Sequence, residues 1–297
     1  MRYVEVGGAR VSAIGLGTWQ FGSREWGYGR EFENVAHAIT NRAIDLGINL
    51  IDTAEFYGFG RSEQIVGEAI RARRNEVFIA TKLFPIGLPF MVERRARSSA
   101  HRLGVDHIDL YQQHFPSPLF PARATMSRMK RLVDEGRVRH VGVSNHDLGA
   151  WQKCERAFRG PVLSNQVRFS LVSRGPEREL LPWAQRTGRI VIAYSPLGQG
   201  LLSGKYQDAP PKNFRRMRAD FKPQGRARRE PLIAALRDIA GGHGATPSQV
   251  SLAWLIRMPN VVAIPGASSV RQLEENAAAA DLTLGEDEIA QLDSLSA

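Results

Sequence analysis

Residues 47–58 read GINLIDTAEFYG. Ile48, Leu50 and Ile51 form a short apolar run with strand character. Asp52 stands where that run ends. Thr53 and Ala54 turn the chain, and Glu55, Phe56 and Tyr57 lie on the loop beyond. A carboxylate at a strand end and a phenol on the next loop can face one site. The geometry repeats on the next two strands: Val77–Thr81 ends at Lys82, and Ile108–Gln113 ends at His114.

Outward from this stretch, strand alternates with helix along the whole chain. Residues 1–11 predict a β-hairpin, VEV and ARV around Gly7-Gly8. SAIGLGT (12–18) predicts a first buried strand, and helix follows over 33–46, stopped by Gly47. Further helices are expected at 62–72, 91–103, 124–135, 148–158 and 177–187. Strands are expected at 138–143, 162–166 and 189–194. A long loop over about 197–225 exceeds the usual length of a structureless connection and reads as a functional lid. Helices at 230–240 and 247–257, a strand at 261–265 and helices at 270–279 and 286–295 complete the chain.

Eight strands with helical crossovers imply parallel pairing and fit an α/β fold, a closed (β/α)8 TIM barrel. The N-terminal hairpin and the extra C-terminal helices are additions to it. A doubly wound open sheet is the rival, but it carries a GxGxxG turn after its first strand. Here that turn is GLGTWQFG (15–22), with Phe21 where a small helix-starting residue is wanted. No linker interrupts residues 1–297, so one barrel domain is expected.

At 297 residues and 43% hydrophobic, the chain is sized for such a barrel. No run of about eighteen apolar residues is present, so no membrane span is expected. The N-terminus lacks the shape of a signal peptide. The single Cys154 makes no internal disulfide, and a cytoplasmic location is expected. The net charge of +10 comes mainly from Arg and favours anionic ligands. No groove-reading or aromatic-stacking motif accompanies it, so nucleic acid is not an expected partner. His101, His107 and His140 lack metal-ligand spacing and there is no HExxH motif, so no metal is expected.

In a barrel all strand C-termini open on one face, and neighbouring strands lie about 4.8 Å apart. Asp52, Lys82 and His114 would then be near neighbours, with Tyr57 folding back over them. Taken singly they read as a surface Asp, a solvated Lys, a capping His and a packed Tyr. Three polar residues closing three apolar strands on one rim read as a site. A free Tyr has a pKa of about 10. A nearby ammonium lowers it, and Asp52 would keep Lys82 charged and in place. His114 can orient a carbonyl oxygen. A proton donor without nucleophile or metal is half of a reduction, and the missing hydride implies a nicotinamide cofactor. Trp19, Phe21, Trp26, Phe59, Phe84 and Phe115 are candidates for an apolar substrate mouth suited to a small-molecule carbonyl or alcohol.

These features resemble the aldo-keto reductase family over nearly the whole chain. The matching stretches are GLGTWQFG, GINLIDTAEFYGFGRSE, VFIATK, IDLYQQHFP, VGVSN, SNQVRFS, AYSPLGQGLLSGK and IPGASSVRQLEENAAA. The resemblance implies a catalytic tetrad of Asp52, Tyr57, Lys82 and His114, with Tyr57 as general acid in reversible reduction of aldehydes and ketones. It implies that Ser144, Asn145 and Gln166 hold the nicotinamide carboxamide and that Tyr194 stacks on its ring. Ser195, Leu197, Gly200 and Lys205 would meet the pyrophosphate, and Gly266, Ser268, Gln272, Glu275 and Asn276 the adenosine end. Gly17, Thr18 and Trp19 would lie nearby. Many members carry Lys and Arg at the positions of Gly266 and Gln272, where they grip the 2′-phosphate. This chain replaces both. Ser268, the N–H groups at the helix start and Arg271 are the substitutes it offers, and NADP(H) is favoured over NAD(H).

The stretch 215–230 concentrates Arg215, Arg216, Arg218, Lys222, Arg226, Arg228 and Arg229. It reads as a solvated face, or as basic residues that close over cofactor phosphates. A rival function is that of a cofactor-binding regulatory subunit similar to the potassium-channel β subunits, which resemble this family.

Overall fold

The computed structural model describes residues 1–22, 29–85, 87–206, 210–211 and 214–296. Trp26 lies outside the described residues. Strands β1 (Tyr3–Val6) and β2 (Ala9–Ser12) pair antiparallel through Gly7 and Gly8. Both glycines have positive φ (58° and 80°), the backbone that a tight two-residue hairpin requires. The barrel strands are β3 (Leu16–Gly17), β4 (Leu50–Asp52), β5 (Phe78–Leu83), β6 (Ile108–Gln113), β7 (Val138–Ser144), β8 (Ser164–Arg168), β9 (Ile190–Tyr194) and β10 (Val261–Ala263). They pair in sequence order, every pair parallel. A parallel bridge between Ile14 and Ala263 joins the first strand to the last and closes the ring. The hydrogen bonds from Gly15 N–H to Ala263 O (2.8 Å) and from Ala263 N–H to Ala13 O (2.9 Å) seal it.

The helices around the ring are α1 (Glu33–Asp45), α2 (Arg61–Ile70), α3 (Val92–Leu103), α4 (Ala122–Asp134), α5 (Leu148–Phe158), α6 (Leu180–Thr187), α7 (Pro223–Gly242), α8 (Pro247–Ile256), α9 (Val270–Ala278) and α10 (Glu286–Ser296). One apolar layer fills the space between strands and helices. A second lies inside the barrel, where Leu50, Phe78, Leu110, Ile190, Ile192 and Val262 meet Val4, Ala9 and Val11 of the hairpin. The hairpin thus plugs the N-terminal mouth.

Side-chain alternation carries that inner layer into the site. Leu50 faces inward, so Asp52 does too. Phe78 and Ala80 lead to Lys82, and Leu110 leads to Gln112 and His114. The (β/α)8 fold is therefore present, with the expected hairpin. No described helix is long and apolar enough to cross a membrane.

Most boundaries shift by one to three residues, α6 beginning at Leu180 rather than 177 and β8 running Ser164–Arg168 rather than 162–166, and two differ by more. Of SAIGLGT, only Leu16–Gly17 joins the ladder, with Ile14 bridging, while Ser12 belongs to the hairpin. Helix α7 begins at Pro223 rather than at 230 and runs through Pro231. Its early turns are held by Arg228 and Arg229 against Asp220. The preceding loop holds 3-10 turns at Gly198–Ser203, Phe214–Met217 and Ala219–Phe221, so it is not structureless.

Candidate active site

Lys82 is fully buried. Its Nζ donates to Asp52 Oδ1 at 2.5 Å, to the Thr53 carbonyl at 2.9 Å and to Tyr57 Oη at 3.3 Å. Desolvation pulls the Lys82 pKa down, but the Asp52 carboxylate and the Tyr57 phenol outweigh it and leave the ammonium more stable than usual. The second Asp52 oxygen accepts from Gln166 Nε2 at 2.7 Å and Gln112 Nε2 at 3.4 Å. Gln112 is absent from the sequence reading; its position two residues before His114 on β6 is the signal that finds it.

Burial raises the Tyr57 pKa above its ordinary value. Lys82 lowers it, as the sequence reading expects, but the loss of water and the Asp52 charge prevail. His114 meets Tyr57 edge-on, ring centroids 5.9 Å apart. Burial, reinforced by the Lys82 charge, drives the His114 pKa down to about 3. The ring is therefore a neutral imidazole at neutral pH, and its Nδ1 is buried without a hydrogen-bond partner.

These groups form one end of a cleft of about 380 Å³ at the C-terminal mouth. Of the residues named from the sequence, Gly17, Thr18, Trp19, Ser144, Asn145, Gln166, Tyr194, Ser195, Leu197, Gly200, Lys205, Gly266, Ser268 and Gln272 line it. Glu275 and Asn276 lie behind its wall. Glu275 accepts from Thr246 Oγ1 (2.8 Å), and buried Asn276 reaches the Gly266 carbonyl at 3.5 Å. Gln20 and Arg215 also line the cleft.

The middle of the cleft is a linked polar wall. Ser144 Oγ donates to the Gln166 carbonyl (2.8 Å), Tyr194 Oη to Asn145 Oδ1 (2.8 Å) and Asn145 Nδ2 to the His114 carbonyl (3.0 Å). Asn145 and Ser195, just past β7 and β9, have φ of 59° and 50°, uncommon values for residues with a Cβ that cluster at functional sites. Farther out, Gly198, Gln199 and Gly200 are all left-handed, a backbone shape that can turn N–H groups toward an anion. Lys205 and Arg215 lie beside this turn, whereas Arg216 is exposed and off the cleft.

At the far end, Ser269 caps α9 by accepting from Gln272 N–H, and Gln272 Oε1 accepts from Ser268 N–H and Oγ. Gln20 fills the space that a side chain at 266 would take: a Cβ on Gly266 would stand 2.8 Å from Gln20 Oε1. Gln20 Nε2 donates to the Ala267 carbonyl at 2.7 Å, while its Oε1 is buried without a partner. An aromatic face, amide and hydroxyl groups, a left-handed anion turn and a helix N-terminus in one row fit a nicotinamide dinucleotide.

The aromatic candidates separate. Phe115 stacks on His114 (4.8 Å) and Phe84 on Phe56 (4.5 Å), beside the Tyr57 loop. Phe59 is 91% exposed. Phe21 is fully buried against Phe32, so it belongs to the core and not to the substrate mouth. Cys154 is buried on α5, and desolvation pushes its thiol up to about 12, so it packs and does not react. Among the described residues no His, Cys, Asp and Glu group could hold a metal.

The sequence profile of the Aldo/keto reductase family matches residues 13–297. An uncharacterized oxidoreductase of Mycobacterium tuberculosis is 51% identical over 288 residues, covering 96% of this chain and 89% of that protein. The methylglyoxal reductase YeaE of Escherichia coli is 35% identical over 289 residues, covering 97% and 92%. An aldo-keto reductase from Klebsiella pneumoniae, solved in complex with NADPH, superposes with a TM-score of 0.82 at 35% identity, covering 99% of this chain and 94% of its own. With a closed barrel, a Lys82-centred polar cluster at its C-terminal mouth and a profile match over almost every residue, this chain belongs to the aldo/keto reductase family of oxidoreductases.

Proposed function

We propose that this protein is an NADP(H)-dependent carbonyl reductase in which Tyr57 is the general acid, working reversibly on aldehydes and ketones. The observation that carries the reading is the Lys82 ammonium, 2.5 Å from Asp52 and 3.3 Å from the Tyr57 hydroxyl, at the end of a cleft suited to a dinucleotide.

The bound nicotinamide supplies hydride. The chain supplies everything around that transfer. Neutral His114 holds the carbonyl oxygen by a hydrogen bond. Tyr57 delivers a proton to the same oxygen, and Lys82 stabilises the phenolate left behind. Asp52 keeps Lys82 charged, and Gln112 and Gln166 keep Asp52 oriented. Ser144, Asn145 and Gln166 orient the carboxamide, with Tyr194 behind the ring. Ser195, Leu197, Gly200, Lys205 and Arg215 face the pyrophosphate. Ser268, the α9 N-terminus and Arg271 take over at the 2′-phosphate from the absent Lys and Arg, and Gln20 with Gly266 shapes the adenosine end. Glu275 and Asn276 support that wall from behind. The YeaE relative makes methylglyoxal a first substrate to try, and the apolar rim adds aromatic aldehydes.

The test is oxidation of NADPH and NADH at equal concentration with these aldehydes. Tyr57→Phe is expected to lower kcat by at least about a hundredfold while NADPH binding persists. Tight cofactor binding by the wild type without turnover of any aldehyde would favour the regulatory-subunit reading, and faster turnover with NADH would reverse the cofactor preference.

A further inference from the structure

We infer that Glu55 and Arg95 form a clasp that positions the Tyr57 hydroxyl against Lys82. The inference rests on the reading of Tyr57 as proton donor. Glu55 stands two residues before Tyr57 on the same loop. Its carboxylate accepts from the Phe84 N–H at 2.6 Å, from Arg95 Nε at 3.1 Å and from Arg95 Nη2. Phe84 follows Lys82 by two residues, and Arg95 projects from α3. One side chain therefore joins the loop that carries the phenol to the strand that carries the ammonium, and to the helix behind both. The side chains are only 13% (Glu55) and 20% (Arg95) exposed, so water screens the pair weakly. The Phe56 ring adds a second tie by stacking on Phe84 at 4.5 Å.

Beyond Tyr57 the turn is held through backbone, with the Arg61 N–H reaching the Tyr57 and Gly58 carbonyls, and through the Phe59 ring against Phe56 (5.8 Å). Gly58, Phe59 and Gly60 have φ of 55°, 53° and 91° in succession, and the Phe59 side chain stands in solvent. None of these contacts touches the Tyr57 ring, so they leave the direction of the phenol to the loop before it. Lys82, in contrast, is pinned by Asp52 and the Thr53 carbonyl. The 3.3 Å between Nζ and Oη is thus set from the loop side, through Glu55. Neither Glu55 nor Arg95 lines the cleft, so both are positioning residues.

Four variants of the full chain test this: Glu55→Ala, Glu55→Gln, Arg95→Met and Arg95→Lys. Each is compared with wild type and Tyr57→Phe by circular dichroism, NADPH titration and kcat/KM for one aldehyde across pH. Glu55→Ala and Arg95→Met are expected to lose about tenfold in kcat. Their NADPH affinity should stay within about twofold, and Arg95→Lys should recover most of the rate. Loosening the phenol from the ammonium also moves the alkaline limb of kcat/KM upward, a shift that simple destabilisation does not produce. Folded variants with an unmoved limb and kcat within about twofold of wild type overturn the clasp. Should Glu55→Ala fail to fold, Glu55→Gln, which keeps an acceptor for the Phe84 N–H, reads the same limb. If Tyr57→Phe turns over normally, the proton-donor reading falls and the clasp with it. If Tyr57→Phe is inactive while the clasp variants behave as wild type, only the clasp falls.

Discussion

His114 illustrates how burial fixes the protonation state of an ordinary side chain. Its pKa falls from 6.5 to about 3, so the unfolded chain takes up a proton that the folded protein refuses over that interval. The stability contributed by the neutral ring is complete above pH 6.5 and is lost as pH falls toward 3. Between pH 6.5 and about 5 this group alone removes about 2 kcal/mol. Urea unfolding at the two pH values is expected to show that loss in wild type and a smaller one in His114→Asn. Tyr57, with its raised pKa, stays protonated through neutral pH. Reduction should therefore run at a steady rate across neutrality and fall only in the alkaline range, whereas alcohol oxidation should rise there. Tyr111 makes a different case: its hydroxyl is buried without a partner, and burial raises its pKa well above the usual value. Tyr111→Phe is expected to stabilise the protein by about 1 kcal/mol in urea unfolding. Asp52, Lys82 and His114 are legible in the sequence because a polar residue closing an apolar run is a local feature. The direction of the Tyr57 shift is not, because it depends on how much water the surrounding wall removes. Gln20 escapes for the same reason: what fills the notch at Gly266 is settled by two loops 246 positions apart in the chain.

Among the elements, α2 shows packing overruling propensity. Gly67 lies inside this helix, where alanine is intrinsically better by about 1 kcal/mol. A Cβ there would stand 2.5 Å from the Leu103 carbonyl oxygen and 2.8 Å from its Cα, on the backbone at the end of α3. The two helices would have to part, so Gly67→Ala is expected to destabilise by about 2 kcal/mol despite its propensity. A lowered urea midpoint at unchanged m-value checks this. The strands and most helices could be read from periodicity and glycine stops. The start of α7 could not, because Pro231 looks like a first-turn proline although the helix begins two turns earlier, at Pro223. The tie between Glu55 and Arg95 crosses forty positions and leaves no periodic trace.

For the whole molecule, the division between ends is the main fact. Asp52, Lys82 and Gln112 lie at or near the C-terminal ends of their strands, His114 follows β6 directly and Gln166 reaches Asp52 from the middle of β8, while the hairpin occupies the opposite mouth. Stability and chemistry are therefore separable. Val4→Ala with Val11→Ala is expected to cost about 3 kcal/mol in urea unfolding, while turnover per folded molecule at low temperature stays at the wild-type value. The closed fold was accessible from sequence because eight apolar runs of similar length admit few arrangements. Which residues complete the ring was less so, since the first strand contributes a single bridge at Ile14.

The stoppered N-terminal mouth makes the barrel a cul-de-sac. The packed layer above the hairpin closes the way through the barrel, so whatever reaches Tyr57 leaves by the C-terminal side from which it came. Under the proposed reduction, product alcohol and incoming carbonyl share one doorway, so the alcohol is expected to inhibit in steady-state kinetics.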